Sequence, residues 1–209
     1  MKINIFDICG TMYDSNTTFD FLDYMFLENK RYQIMRKMSK IIFFKIVNKI
    51  IFQAFNIDLF RIVFLRYLKG MTRKELENKV NDFYKKVLEF KKIDDVILLL
   101  NKIKKEDKKI ILVSATIDII AQRIAKEFSL DFISSKLSFD KEICLGTLEY
   151  DLLGKKDSYI KEDIELVVTD NISDLNLIRV SKKSVIISKK KNIKFWNEQK
   201  LCNYRIMEV

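Results

Sequence analysis

The chain of 209 residues has no histidine and no proline, only four glycines, three cysteines and a single tryptophan. The missing histidine excludes most. It removes Ser-His and Cys-His nucleophile pairs and imidazole metal ligands together. Any metal must then be held mainly by oxygen atoms, which points to Mg2+. Cys9, Cys144 and Cys202 are odd in number, far apart and without metal-binding spacing. That pattern is expected of a reducing, cytoplasmic compartment. No apolar run reaches 18 residues, so an ordinary membrane span is not expected, and nothing ahead of Asp7 has the long apolar core of a signal peptide.

What is present suits one generous domain, or a domain with a large insertion: 48% of residues are hydrophobic and 33% charged. The net charge of +10 comes from scattered lysines more than clustered arginines. Such a balance suits a solvated surface with some pull on phosphorylated or anionic partners. Nucleic acid is not expected as a partner. Lys182-Lys183 and Lys189-Lys190-Lys191 are the only clusters that suggest it, and they lack interleaved aromatics for stacking on bases.

The first eleven residues, Met1 to Thr11, organise the rest. An apolar run (Ile3, Ile5, Phe6) stops at Asp7 and reaches Gly10-Thr11 three residues later. This reads as a buried strand entering a loop, with an acid where ligands sit in an open α/β sheet. Asp7 is there either a nucleophile or metal ligand, or a cap for the next helix. From Thr17 or Thr18 to about Leu100 nearly everything has helical period, with Phe19, Leu22 and Phe26 on one face at the start. Between Met35 and Leu68 apolar residues cover more than half the helical circumference, against a narrow polar strip of Lys45, Lys49, Gln53 and Asn56. Packing inside a helical bundle is expected of such a stretch, with a membrane-surface helix as the minority reading. Thr72 stands three residues before Glu75 and forms a capping box that opens a helix through Leu88. A helix over about residues 93–104 leads out.

Then the period changes. Residues 109–116 form an apolar strand ending in hydroxyls, followed by an amphipathic helix to Phe128. A short strand at 130–133, a hairpin-like excursion over 138–150, a strand at 165–170 and a last strand at 184–187 follow, with helices at 158–161 and from Asn171. Strands alternating with helices predict an α/β fold, a doubly wound parallel sheet with helices on both faces. Residues 1–16 and 101–209 would form this Rossmann-like core, and residues 17–100 an inserted all-helical lid.

Three strands therefore end at Asp7, Ser114 and Asp170, the last continuing to Asp174. In a parallel sheet those ends share one edge, with neighbouring strands about 4.8 Å apart. Crowded carboxylates repel, and a divalent cation relieves the repulsion. Phosphate chemistry accounts for the set: Asp7 as nucleophile, Mg2+ on the oxygens, Ser114 and a lysine from Gly154-Lys155-Lys156 holding the phosphoryl group.

The ordered set Asp7-x-x-Gly10-Thr11, Ser114, Lys156 and Asp170-x-x-x-Asp174 resembles the four-motif signature of the haloacid dehalogenase-like superfamily. Residues 68–76, 113–116 and 124–128, with the Lys156-x-x-x-Ile160 spacing, resemble its phosphoserine phosphatase-like branch. The resemblance covers nearly the whole chain. It implies a Mg2+-dependent phosphomonoester hydrolase acting on a small phosphorylated metabolite. Asp7 would form an aspartyl-phosphate. Ser114 and Lys156 would bind the phosphoryl group, helped by Gly10, Thr11 and Ala115. Asp170 would ligate Mg2+ with Asp7 and the backbone carbonyl of residue 9, and Asp174 would act through water or by orienting the site. Lys155 is the rival for the lysine role. The helical insertion would be the family's cap, where specificity resides, with Asn16 and Thr17 as candidates.

The departure is Cys9, which stands where family phosphatases carry a second Asp as general acid and base. It is included among the catalytic residues with its proton-transfer role in question. Cys9 as nucleophile is disfavoured, because the loop from Gly10 to Thr18 offers no Arg to clamp a phosphate. Two further functions stay open: a weakened or inactive relative that binds a phosphorylated ligand or partner, and a lipid or lipid-linked phosphate phosphatase with peripheral membrane contact through the cap. The sequence does not speak to oligomeric state.

Overall fold

Strand β1 (Lys2–Phe6) lies in the middle of a seven-stranded sheet in the computed structural model, which describes residues 2–55 and 57–209. Met1, first in the opening stretch, and Asn56, placed above on the polar strip, lie outside the described residues. The spatial order is β4-β3-β2-β1-β5-β6-β7. The other strands are β2 (Ile110–Ile117), β3 (Asp131–Asp140), β4 (Ile143–Tyr150), β5 (Asp163–Thr169), β6 (Lys183–Ser188) and β7 (Tyr204–Glu208). Every pairing is parallel except β3 with β4, the expected hairpin. The central strands are buried almost throughout, as strands covered on both faces must be.

The two-residue period of the strands sorts their side chains into two cores. Ile3, Ile5, Ile111 and Val113 pack on one face with Leu177 and Ile178 of α8 (Leu175–Val180) and Trp196 of α9 (Ile193–Glu198). Phe6, Leu112 and Val168 point to the other face, toward α7 (Asp118–Phe128) and the helical insertion. That insertion comprises α1 (Thr17–Met25), α2 (Lys30–Ser39), α3 (Ile42–Phe55), α4 (Leu59–Leu65), α5 (Arg73–Lys86) and α6 (Asp94–Lys105). Phe21, Phe64, Phe83 and Leu100 from it belong to the same contiguous buried cluster as Phe6 and Leu112. The Thr72–Glu75 capping box is present in both directions and starts α5.

Three expectations change. The greasy stretch is not packed inside a bundle: α3 buries no residue, and Ile42 and Phe43 are 70% and 65% exposed. A helix that is apolar over most of its girth can hide only the side its neighbours cover. Phe44, Val47, Ile51 and Phe52 are half-buried while Ile46 and Ile50 face out. The strand after α7 is longer than four residues, because pairing with β4 extends it to Asp140. The sheet also does not end at β6: β7 pairs along it from Ser184–Tyr204 to Ser188–Glu208.

Candidate active site

With β4 set aside, the parallel strands run β3-β2-β1-β5-β6-β7, so the order reverses at β1. The crevice beyond the carboxyl ends of β1 and β5 is where such sheets bind ligands. Asp7 enters it directly from β1, its backbone N–H still donating to the Val168 carbonyl of β5 at 2.9 Å. Both carboxylate oxygens have partners: Oδ1 accepts the Ile8 N–H at 2.7 Å and Oδ2 accepts Lys156 Nζ at 2.7 Å. The side chain is nearly fully buried.

Lys156, not the exposed Lys155, reaches this corner. It sits on a one-turn 3-10 segment (Lys156–Tyr159), and its ammonium bridges Asp7 to Asp174 Oδ2 at 2.8 Å. Asp174 Oδ2 also accepts the Thr169 hydroxyl at 2.6 Å. Burial works against the charged lysine, yet the two carboxylates outweigh it and hold the ammonium above its ordinary range. Burial lifts the Asp174 carboxyl above its usual range despite that lysine.

Asp170 lies against the loop after β1. Gly10 has a φ of +68°, and a Cβ there would stand 2.2 Å from Asp170 Oδ2, so both the backbone and the close approach require glycine. The Thr11 hydroxyl donates to Asp170 Oδ1 at 3.0 Å and accepts the Asp170 N–H at 2.9 Å. Thr11 is fully buried behind that carboxylate, so its hydroxyl is spent on positioning Asp170. Asp170 itself lines a cleft of about 570 Å³ together with Cys9, Gly10, Asn16, Lys91 and Lys189. Burial, and then the charge of Asp7, push its carboxyl up to about 7.

Ser114 is the last of five consecutive buried residues of β2 but not the strand's end, since pairing with β3 carries β2 on to Ile117; its hydroxyl points toward Cys9 Sγ at 3.9 Å. Ala115 is half-buried beside it. Cys9 Sγ lies 3.1 Å from the Thr17 hydroxyl, which in turn is 2.6 Å from that of Thr116. Burial, then the charge of Asp7, raise the Cys9 thiol above its ordinary pKa, so it keeps its proton.

Among the described residues no three His, Cys, Asp or Glu side chains form a ready-made metal cage. Mg2+ does not need one. It is commonly held by one or two carboxylates, water and substrate phosphate. Asp7 and Asp170 supply hard oxygen donors, and the two causes that raise the Asp170 carboxyl, burial first and then the charge of Asp7, are ones a divalent cation would relieve. The residues present fit the ion.

Sequence reasoning missed Arg61. This α4 residue is 6% exposed, donates from its guanidinium to the Ala115 carbonyl, and pairs with Asp151 Oδ2 at 3.5 Å. That ion pair is made by its Nε, which has no hydrogen-bond partner among the described residues. The available signal was a lone cation between Phe60 and Ile62 in an apolar helix.

A family model described as haloacid dehalogenase-like hydrolase matches residues 5–179. Comparison with curated proteins gives no match. Among solved structures, a protein of unknown function from Bordetella pertussis Tohama I superposes with a TM-score of 0.77 at 12% identity, covering 100% of this chain and 99% of that one. A HAD family hydrolase from Salmonella enterica serovar Typhi gives 0.64 at 14% identity, covering 98% of this chain and 66% of that one. A phosphoserine phosphatase in apo form gives 0.59 at 14%, covering 97% and 92%. At such identities the superpositions speak for the fold alone. The family match takes in most of the chain and spans Asp7, Ser114, Lys156 and Asp170, and this protein belongs to the haloacid dehalogenase-like hydrolases.

Proposed function

We propose that the chain is a cytoplasmic, Mg2+-dependent phosphomonoester hydrolase that works through an aspartyl-phosphate on Asp7, with a small phosphorylated metabolite as substrate. The observation that carries this reading is the ion pair of Lys156 with Asp7 at 2.7 Å, with Ser114 on neighbouring β2 and Asp170 just past the end of neighbouring β5. Asp7 and Asp170 would hold Mg2+ with the Cys9 backbone carbonyl, and Asp174 through water. When bound, the ion offsets the charge that gathers on the carboxylates and phosphoryl oxygens.

Ser114 Oγ and Lys156 Nζ orient the phosphoryl group in line with an Asp7 oxygen. Each of those oxygens accepts one hydrogen bond and keeps a lone pair for attack. The Asp7 O–P bond forms as the ester O–P bond breaks, and water then cleaves the acyl phosphate. The leaving alkoxide needs a proton, and the water needs to lose one. Cys9 serves neither step well, because a thiolate beside Asp7 is unfavourable. Turnover is expected to be about 10²–10⁴-fold below that of a site with a carboxylate there. The helical insertion acts as the cap, and Arg61 ties it to the loop after Ser114.

Asp7→Asn should abolish turnover across a panel of phosphorylated metabolites with Mg2+, and activity that survives the change rules the mechanism out. Cys9→Asp should raise turnover. A second reading is favoured by the neutral, hydrogen-bonded Cys9 thiol: a relative that binds a phosphorylated ligand without turning it over. Metal-dependent binding with no turnover, even in Cys9→Asp, selects it.

A further inference from the structure

The positive charge is not scattered after all. Residues 29–74 hold twelve Lys or Arg and a single acid, Asp58, out of 39 and 29 in the chain, so everything else carries 27 bases and 28 acids. The same segment holds the exposed apolar surface. Of 21 large hydrophobic side chains exposed among the described residues, eleven lie between Ile34 and Ile62. Ile42, Phe43, Ile46 and Ile50 form the outer side of α3. Lys40, Lys45 and Lys49 are exposed at its flank and, with Arg36, border a cleft of about 470 Å³ that meets the catalytic cleft at Asn16.

An aliphatic face beside a band of lysines is matched by few surfaces. A second copy of this chain would set one strongly positive face against another. A nucleic acid would meet isoleucines where phosphates need cations. An anionic membrane satisfies both parts: the apolar side chains enter the boundary between headgroups and acyl chains, and the lysines stay at headgroup level. No helix among the described residues is long and apolar enough to cross a membrane, which leaves α3 lying in the plane of the interface. We propose that α2, α3 and α4 form a peripheral docking surface for an anionic lipid membrane.

Co-sedimentation with vesicles tests this without relying on turnover. At low salt the full chain should sediment with phosphatidylcholine vesicles containing about 30% phosphatidylglycerol and stay in solution with phosphatidylcholine alone. The double variants Ile46→Glu/Ile50→Glu and Lys45→Glu/Lys49→Glu should each partition about tenfold less. All four side chains are exposed, so circular dichroism should be unchanged. Asp7→Asn should sediment like the unmodified chain, which separates docking from catalysis. A chain that ignores phosphatidylglycerol vesicles at low salt overturns the proposal, as does undiminished sedimentation of Ile46→Glu/Ile50→Glu. A dimer in sedimentation velocity that this variant dissolves assigns the face to a second copy and also overturns it.

Discussion

The corner beyond β1 and the outer side of α3 treat charge and oil in opposite ways. At the corner the carboxylates of Asp7 and Asp174 are buried and tied to the Lys156 ammonium at 2.7 and 2.8 Å, with the half-buried Asp170 beside them held by the Thr11 hydroxyl at 3.0 Å. On α3 isoleucine and phenylalanine stand in solvent. The corner is held by partners that must all be present at once, whereas removing one outer side chain of α3 leaves nothing unpaired. Stability should therefore respond steeply to change in the first region and hardly at all in the second.

The largest effect is expected from Lys156→Met, which strands Asp7 and Asp174 in the interior without a cation. A loss of about 3–5 kcal/mol in urea unfolding is expected. A loss under about 1 kcal/mol would mean that the corner tolerates an uncompensated pair, and the contrast with α3 would fail.

A smaller effect follows from Asp170. Its carboxyl, pushed up to about 7, keeps its proton in the folded chain at pH values where the unfolded chain has released it. Between about pH 4 and 7 the folded state therefore binds more protons, and metal-free stability should fall as pH rises, by on the order of 2–4 kcal/mol. Asp170→Asn should flatten that slope in chemical unfolding. Mg2+ replaces the lost proton, so it should raise the melting temperature more at pH 8 than at pH 5.

The smallest effect belongs to α3. Ile46→Glu should change unfolding free energy by no more than about 0.5 kcal/mol. A larger loss would show that this face is packed against something, and the two regions would be alike.

Two of the corner's acids were legible because they follow apolar strands. A buried run that stops on an acid, at Asp7 and again at Asp170, states both the strand and its reactive end. Lys156 was legible by its spacing to Ile160, and its burial beside an exposed Lys155 has the same origin. Arg61 was not, since nothing in an apolar helix announces which loop its one cation will reach. The wheel of α3 showed apolar side chains over more than half a turn, but a wheel does not say how many neighbours arrive to cover them. Strand β7 escaped because among the described residues it pairs only with β6, and its half-exposed residues make no buried run. Thr11 was read with the substrate-facing residues, whereas its hydroxyl is committed to Asp170 from behind.

The paired hydrogen bonds between Thr11 and Asp170 join positions 159 apart in the chain. During synthesis Asp7 leaves the ribosome well before Asp170, so the corner does not exist until β5 has emerged and docked beside β1. A nascent chain that has made only β1 and the helical insertion thus displays its greasy helix and its lysines well before the corner is assembled. Whatever α3 meets, it can meet before that corner exists.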